Sequence, residues 1–296
     1  MSRRSQSPTA EEVEGFEAET IPASVERTPT VLLLDTSSSM SNTSQTPDGE
    51  QVPRIEQLND GLRLFKSEVS DVTHAKERVD IAVVTFSSAA TVEEGFTAIT
   101  NWEPPTLAAQ GGTAMGAAIQ RTVELVEERK EQYRADGVPY NRPLIWLLTD
   151  GEPTDMTEGG PTWERVQELL ENDQAFEFFA MGVSEDADTE TLTALVAPTG
   201  RRALRIKKGM FAEYFEFLSN SLASAADPES GEQVTFDREQ LAEITEEEFV
   251  QEPAEGENKT DDPGTAESLK SAVSNEETEA DAETGAGDAE PSGDER

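Results

Sequence analysis

Val31-Leu32-Leu33-Leu34-Asp35-Thr36-Ser37-Ser38-Ser39-Met40 is an uncharged apolar run that stops at a carboxylate and continues into hydroxyls. A strand with water on one face alternates apolar and polar residues, whereas a run apolar at every position suits a strand covered on both faces. Residues 79–86, 144–148 and 176–183 read the same way, 203–206 form a weaker fifth strand, and 91–96 a candidate edge strand. Between them lie helical stretches. Residues 55–69 place Ile55, Leu58, Leu62, Phe65 and Val69 near a 3.6 spacing, and 115–133 do so with Met115, Ile119, Val123, Val126 and Tyr133. Residues 162–170, 189–196 and 210–224 complete the set. Strand and helix alternating over short links predict right-handed βαβ units. The expected fold is α/β: a doubly wound, mostly parallel Rossmann-like sheet with helices on both faces, spanning 29–226.

The flanks read differently. Residues 1–28 have little apolar periodicity and are expected to form a flexible arm. Residues 227–296 are rich in Glu, Asp, Gly, Ser, Thr and Pro, and are expected to form a disordered acidic tail. Within it, Phe236, Leu241, Ile244 and Phe249 surround Asp237, a residue able to cap a short helix. We expect a transient, solvated helix there rather than a docking segment.

The 296 residues carry a net charge of −39, and only 35% are hydrophobic. An ordinary globular chain has about 45–50% apolar residues on a count that includes glycine, so part of this one is expected not to fold. The acidity is spread along it: residues 227–296 have net charge −20, and residues 29–226 still −16. Nucleic-acid binding draws its affinity from basic residues on phosphates, and anionic membranes likewise attract basic segments, so neither is expected as a partner. An acidic core domain in a chain with 7 lysines is similar to cytosolic proteins of salt-accumulating halophiles, where roughly 1 M salt shortens screening to about 3 Å. An ordinary acidic protein is the alternative. No cysteine is present, and His74 is the single histidine. This excludes thiol catalysis, zinc–thiolate sites and multi-histidine metal sites. No stretch approaches the ~18 apolar residues of a membrane span, and the polar N-terminus lacks an apolar signal core. The expected location is the cytoplasm.

In open α/β sheets ligands sit beyond the carboxyl ends of the strands. Asp35, Ser37 and Ser39 follow the first strand, Thr149-Asp150-Gly151-Glu152-Pro153-Thr154-Asp155 the 144–148 run, and Gly111-Gly112-Thr113 opens a helix. Alternate residues of an extended turn can point to one side, and two glycines allow close approach of the backbone. Asp35, Ser37, Ser39, Thr113 and Asp150 are hard oxygen donors with two formal charges, a set suited to Mg²⁺, or to Mn²⁺ or Ca²⁺. Neutral hydroxyls and only two carboxylates leave room in the ion's shell for an outside ligand, so it would attract an acidic side chain from a protein partner. Each piece alone is a common turn; their order, each at the end of the right element, is the signal.

Together these motifs resemble a von Willebrand factor A domain and cover about two thirds of the chain. The resemblance implies a metal-ion-dependent adhesion site in which Ser37, Ser39 and Thr113 contact the ion and Asp35 and Asp150 bind partly through water. The compact domain is similar to the bacterial TerY/YegL-type group, associated with tellurium resistance and chemical stress. That implies a metal-dependent protein-interaction module, a cytoplasmic scaffold rather than an enzyme. Ser38 departs from the family, which often has Gly there; it fits if the turn does not need positive φ. The polar insertion at 41–53 is longer than a compact member needs. A Mg²⁺-dependent phosphatase-like hydrolase is the alternative, but it would need a second Asp where Ser37 stands, and a lysine at the phosphoryl group. No phosphate-binding glycine loop and no nucleophile elbow is present.

Glu152 and Asp155 either tune the ion or cap the following turn. Arg201, Arg202, Arg205, Lys207 and Lys208 are read as a surface patch, with docking of an acidic segment as the alternative. His74 is expected to be solvated. Trp102, Trp146, Trp163, Phe211, Phe215 and Leu218 are expected in packing.

Overall fold

A computed structural model describes residues 25–171, 175–184, 187–228 and 237–246. Every residue of β1 (Thr28–Asp35) is buried, as its unbroken apolar run requires. It lies between two equally covered parallel neighbours, β4 (Val79–Phe86) and β6 (Leu144–Thr149). Two short hairpin strands, β2 (Thr43–Gln45) and β3 (Gln51–Pro53), come between β1 and the first helix. With β5 (Ala90–Ala98), β7 (Glu177–Gly182) and β8 (Leu204–Arg205), the main sheet has the order β5-β4-β1-β6-β7-β8, and β5 is its antiparallel edge.

Because side chains alternate along a strand, one run supplies two cores. Leu32 and Leu34 face α1 (Arg54–Asp71) and α6 (Phe211–Ala225), joining Leu58, Leu62, Phe65, Tyr214, Phe215 and Leu218. Val31 and Leu33 face α3 (Met115–Asp136), α4 (Pro161–Leu170) and α5 (Thr189–Val196), joining Ile119, Val126, Val166 and Leu192. Each such side chain contributes about 1.5–3 kcal/mol on burial. At Gly61 the α1 backbone comes so near α6 that a Cβ would lie 2.1 Å from the Phe215 ring. Trp102, Trp146 and Trp163 are buried, and Trp146 stacks on Phe179 with 4.3 Å between centroids.

The architecture expected from the sequence is the one found. Two additions were not read, and one helix expected to be transient is docked. The 41–53 insertion forms the β2–β3 hairpin, a short α2 (Thr73–Arg78) follows α1, and α7 (Arg238–Ile244) packs on the domain. The last corrects the expected transient helix: Leu241 and Ile244 are buried in the core shared with α6, and Thr245 bridges Ile206 beside β8. Ordered structure therefore passes the boundary drawn at residue 226. Phe236 and Phe249 lie outside the described residues, as do most of the 1–28 arm and the tail beyond 246. β1 begins at Thr28, and Arg27 already bridges Tyr140. Among the described residues no helix is long and apolar enough to cross a membrane.

Candidate metal centre

The chain leaves β1 for β4 on one side and returns to β6 on the other, so the loops after β1 and β6 diverge and open a crevice between them. Asp35 ends β1 with no exposed surface. Its Oδ1 accepts the Ser37 N–H at 2.7 Å, and its Oδ2 accepts the Thr149 hydroxyl at 2.6 Å. Burial pushes the Asp35 carboxyl up to about 6; hydrogen bonds from Ser37 and Thr149 oppose the rise, and the charge of Asp150 adds to it.

The next residues form a 3-10 turn, Ser38–Ser41, with Ser37 at its N-cap. Ser39 Oγ donates to Asp150 Oδ1 at 2.6 Å. Its one proton is thereby committed, so in the 2.8 Å contact between Ser37 Oγ and Ser39 Oγ it is Ser37 that donates. Ser38 opens the helical turn, which removes the need for glycine at this position, and its hydroxyl donates to Gly111 O at 2.8 Å. That bond ties the turn to the glycine loop, where Gly111 has φ +77°.

Thr113 follows that loop at the entrance of α3. Its N–H donates to Thr154 Oγ1 at 3.0 Å, and its carbonyl accepts the Thr154 N–H at 2.8 Å. A Cβ placed on Gly151 would lie 3.7 Å from Ser39 Oγ and 4.0 Å from Thr113 Oγ1, so both hydroxyls flank this glycine. The structure thus joins Asp35, Ser37, Ser39 and Asp150 through hydrogen bonds and sets Thr113 beside them. Among the described residues no three acidic or histidine side chains cluster, so a metal here would take hydroxyls alongside carboxylates. With the Ser37 proton directed at Ser39 and the Ser39 proton at Asp150, the serine oxygens keep lone pairs. That donor chemistry fits Mg²⁺, Mn²⁺ or Ca²⁺.

Asp155 resolves one open alternative. Its two oxygens accept Gly116 N–H at 3.0 Å and Ala117 N–H at 2.8 Å, so it caps α3 from outside rather than the turn that follows it. Glu152 is exposed. The expectation of a solvated His74 is corrected: its Nε2 lies 2.9 Å from Ala223 O on α6. The basic cluster is also more than a surface patch. Lys207 Nζ donates to Ala242 O and Glu243 O at 2.8 and 2.7 Å, and Arg205 pairs with Glu246 at 3.0 Å, so the two grip the segment that carries α7. Arg201 pairs with Glu177 and stacks over Phe179.

Sequence reading missed Arg54. Its Nη1 donates to Asp150 Oδ2 at 2.8 Å in a buried ion pair. A weak signal was available: a cation in the first turn of a helix opposes the macrodipole, so an arginine opening α1 is favoured by an acidic partner.

The family model for the von Willebrand factor type A domain matches residues 30–216. No curated protein sequence matches significantly. Among solved structures, an open-conformation pilus adhesin, SpaC, from Lactobacillus rhamnosus GG is 13% identical, with TM-score 0.50, over 68% of this chain and 30% of that one. A D319A mutant of the PilB minor pilin from Streptococcus sanguinis is 12% identical, with TM-score 0.49, over 68% and 62%. A von Willebrand factor type A protein from Catenulispora acidiphila is 18% identical, with TM-score 0.47, over 67% and 43%. The chain spans less than two thirds of the length of these three, and the likeness is one of fold.

Proposed function

The chain belongs to the von Willebrand factor type A domain family, and from that premise we propose that it is a divalent-metal-dependent protein-interaction module. The observation that carries this reading is the hydrogen-bonded oxygen cluster Ser37–Ser39–Asp150 with Asp35, at the divergence of β1 and β6. Ser37, Ser39 and Thr113 would hold the ion directly, and Asp35 and Asp150 would hold it partly through water. The bound ion would supply a positive charge for a carboxylate of the partner protein. The chain's own part is orientation. Thr149 and the Ser37 N–H fix Asp35, Asp150 orients Ser39, and the Ser38–Gly111 bond holds the glycine loop against the turn. We place it as a scaffold of the stress-response type in the cytoplasm.

A hydrolase reading has no comparable support. Both Asp35 oxygens accept hydrogen bonds and the side chain is fully buried, so it is not presented as a nucleophile.

The test is calorimetric titration of the full chain with MgCl₂ and MnCl₂, then capture of partners from native extract with metal or chelator. Wild type is expected to bind one ion, and Ser39→Ala to bind it at least tenfold more weakly. The same partner should be retained only by wild type with metal. Equal metal binding by both proteins, or equal capture in chelator, would remove the reading.

A further inference from the structure

Arg54 does not belong to the set of oxygen donors, yet it is built into the site. It is the first residue of α1, where the helix dipole disfavours a cation, and it is 6% exposed. Burying a guanidinium at that position is tolerable only beside an opposite charge, and the structure supplies Asp150, itself 2% exposed, at 2.8 Å. The β2–β3 hairpin delivers the arginine. Arg54 N–H donates to Asn42 O at 3.0 Å, directly after the serine turn. Gln57 Nε2 clamps both hairpin strands through Ser44 O and Val52 O at 3.2 and 2.9 Å. The insertion that is longer than a compact domain needs therefore has a physical consequence: it carries a positive charge to the metal centre.

We propose that Arg54 is a built-in counter-ion of this centre. It keeps Asp150 in place as a buried carboxylate without metal, and it opposes the divalent ion that the centre takes. The inference rests on the metal-binding reading above. Asp35 and Asp150 together have charge −2, which a divalent ion would neutralise. Asp35, Asp150 and Arg54 by themselves sum to −1, and to +1 with a divalent ion beside them. Metal affinity is correspondingly lower, and the surplus charge left for a partner's carboxylate is larger. The two oxygens of Asp150 divide the work: Oδ1 orients Ser39 and Oδ2 takes the guanidinium.

The experiment compares the full-length wild type, Arg54→Gln and Arg54→Lys at fixed ionic strength. Mg²⁺ and Mn²⁺ affinities are measured by calorimetry, and melting is followed in chelator and in excess Mg²⁺. Arg54→Gln is expected to bind both ions at least tenfold more tightly, to melt lower than wild type in chelator, and to recover most of the difference with Mg²⁺. Arg54→Lys, which keeps the charge, should stay within about threefold of wild type in affinity. A wild type that binds metal beside an Arg54→Gln of equal or weaker affinity would overturn the proposal and leave the metal site standing. Absence of metal binding in all three proteins would overturn both. A second measurement needs only folded wild type: the Arg54 guanidinium NMR signal, assigned by its absence in Arg54→Lys, should shift on Mg²⁺ addition. An unmoved signal in protein shown to be loaded would also refute the role.

Discussion

Asp35 and Asp80 are both buried carboxylates in one sheet, placed at opposite ends of its strands. Asp35 ends β1 with neutral donors at both oxygens, and burial raises its pKa. Asp80 is the second residue of β4. Burial alone would raise it too, but hydrogen bonds from Arg27, Tyr133 and Arg129 and the charge of Arg27 hold it below the usual carboxylate range. A depressed folded-state pKa contributes stability that is complete above the unfolded value, near pH 4, and lost as pH falls through the folded value. Asp80→Asn is therefore expected to cost about 2 kcal/mol at pH 7, less than the ~3–5 kcal/mol of a fully buried pair because Arg27 and Arg129 are 20% and 25% exposed. The cost should shrink toward zero below pH 4. Urea unfolding at pH 7 and pH 3 measures it; a pH-independent difference would mean that the cluster acts by packing alone. Asp35 was legible in the sequence because a carboxylate ending an uncharged run has a distinctive position. Asp80 and Arg54 were not, because their partners lie 49–53 and 96 residues away and no local pattern points to them.

Elements were legible in proportion to how much of their surface is covered. β1, β4 and β6 are buried on both faces, so each carries a mostly apolar run without alternation; α1 and α3 bury a stripe, so they carry a 3.6 spacing. The β2–β3 hairpin is polar, short and half-exposed, and nothing in its composition separates it from a loop. The entrance of α3 shows why an element's placement matters for the site. Ala114, at its N-cap, supplies no side-chain bond, and Asp155 from the β6–α4 connection caps it instead. That single carboxylate fixes the start of the helix immediately after Thr113. Asp155→Ala is expected to cost about 1 kcal/mol, the usual loss for a cap. It should also weaken Mg²⁺ binding severalfold by freeing Thr113. Thermal melts and calorimetry separate the two effects: destabilisation with unchanged metal affinity would show that Thr113 is held by Thr154 alone.

At the scale of the molecule, the question is where the folded unit ends. Composition places the end at residue 226, because the acidic, Ser- and Gly-rich sequence beyond it lacks a core-forming pattern. The structure carries the domain through α7, since two apolar residues suffice where a matching rim is already built. Leu241 and Ile244, each 3% exposed, enter the α1–α6 core. Lys207 N–H donates to Ile244 O at 2.8 Å and Glu246 N–H to Arg205 O at 2.9 Å, extending the β8 edge. Burial of the two side chains contributes about 3–6 kcal/mol. Ordering the short helix offsets much of this, so its removal is expected to cost about 2 kcal/mol, within the usual range for the loss of one packing feature. A chain ending at Pro228 is therefore expected to melt about 4–8 °C below one ending at Glu252, the conversion for a domain of this size. Its metal affinity should not change, because α7 covers the β8 edge while the oxygen cluster lies between β1 and β6. Equal melting temperatures would show that α7 rests on the surface without stabilising it. A loss of metal affinity with the truncation would instead mean that the β8 edge and the crevice communicate, through the hairpin tip that approaches Gly209 with Gln45 O 3.1 Å from where its Cβ would be.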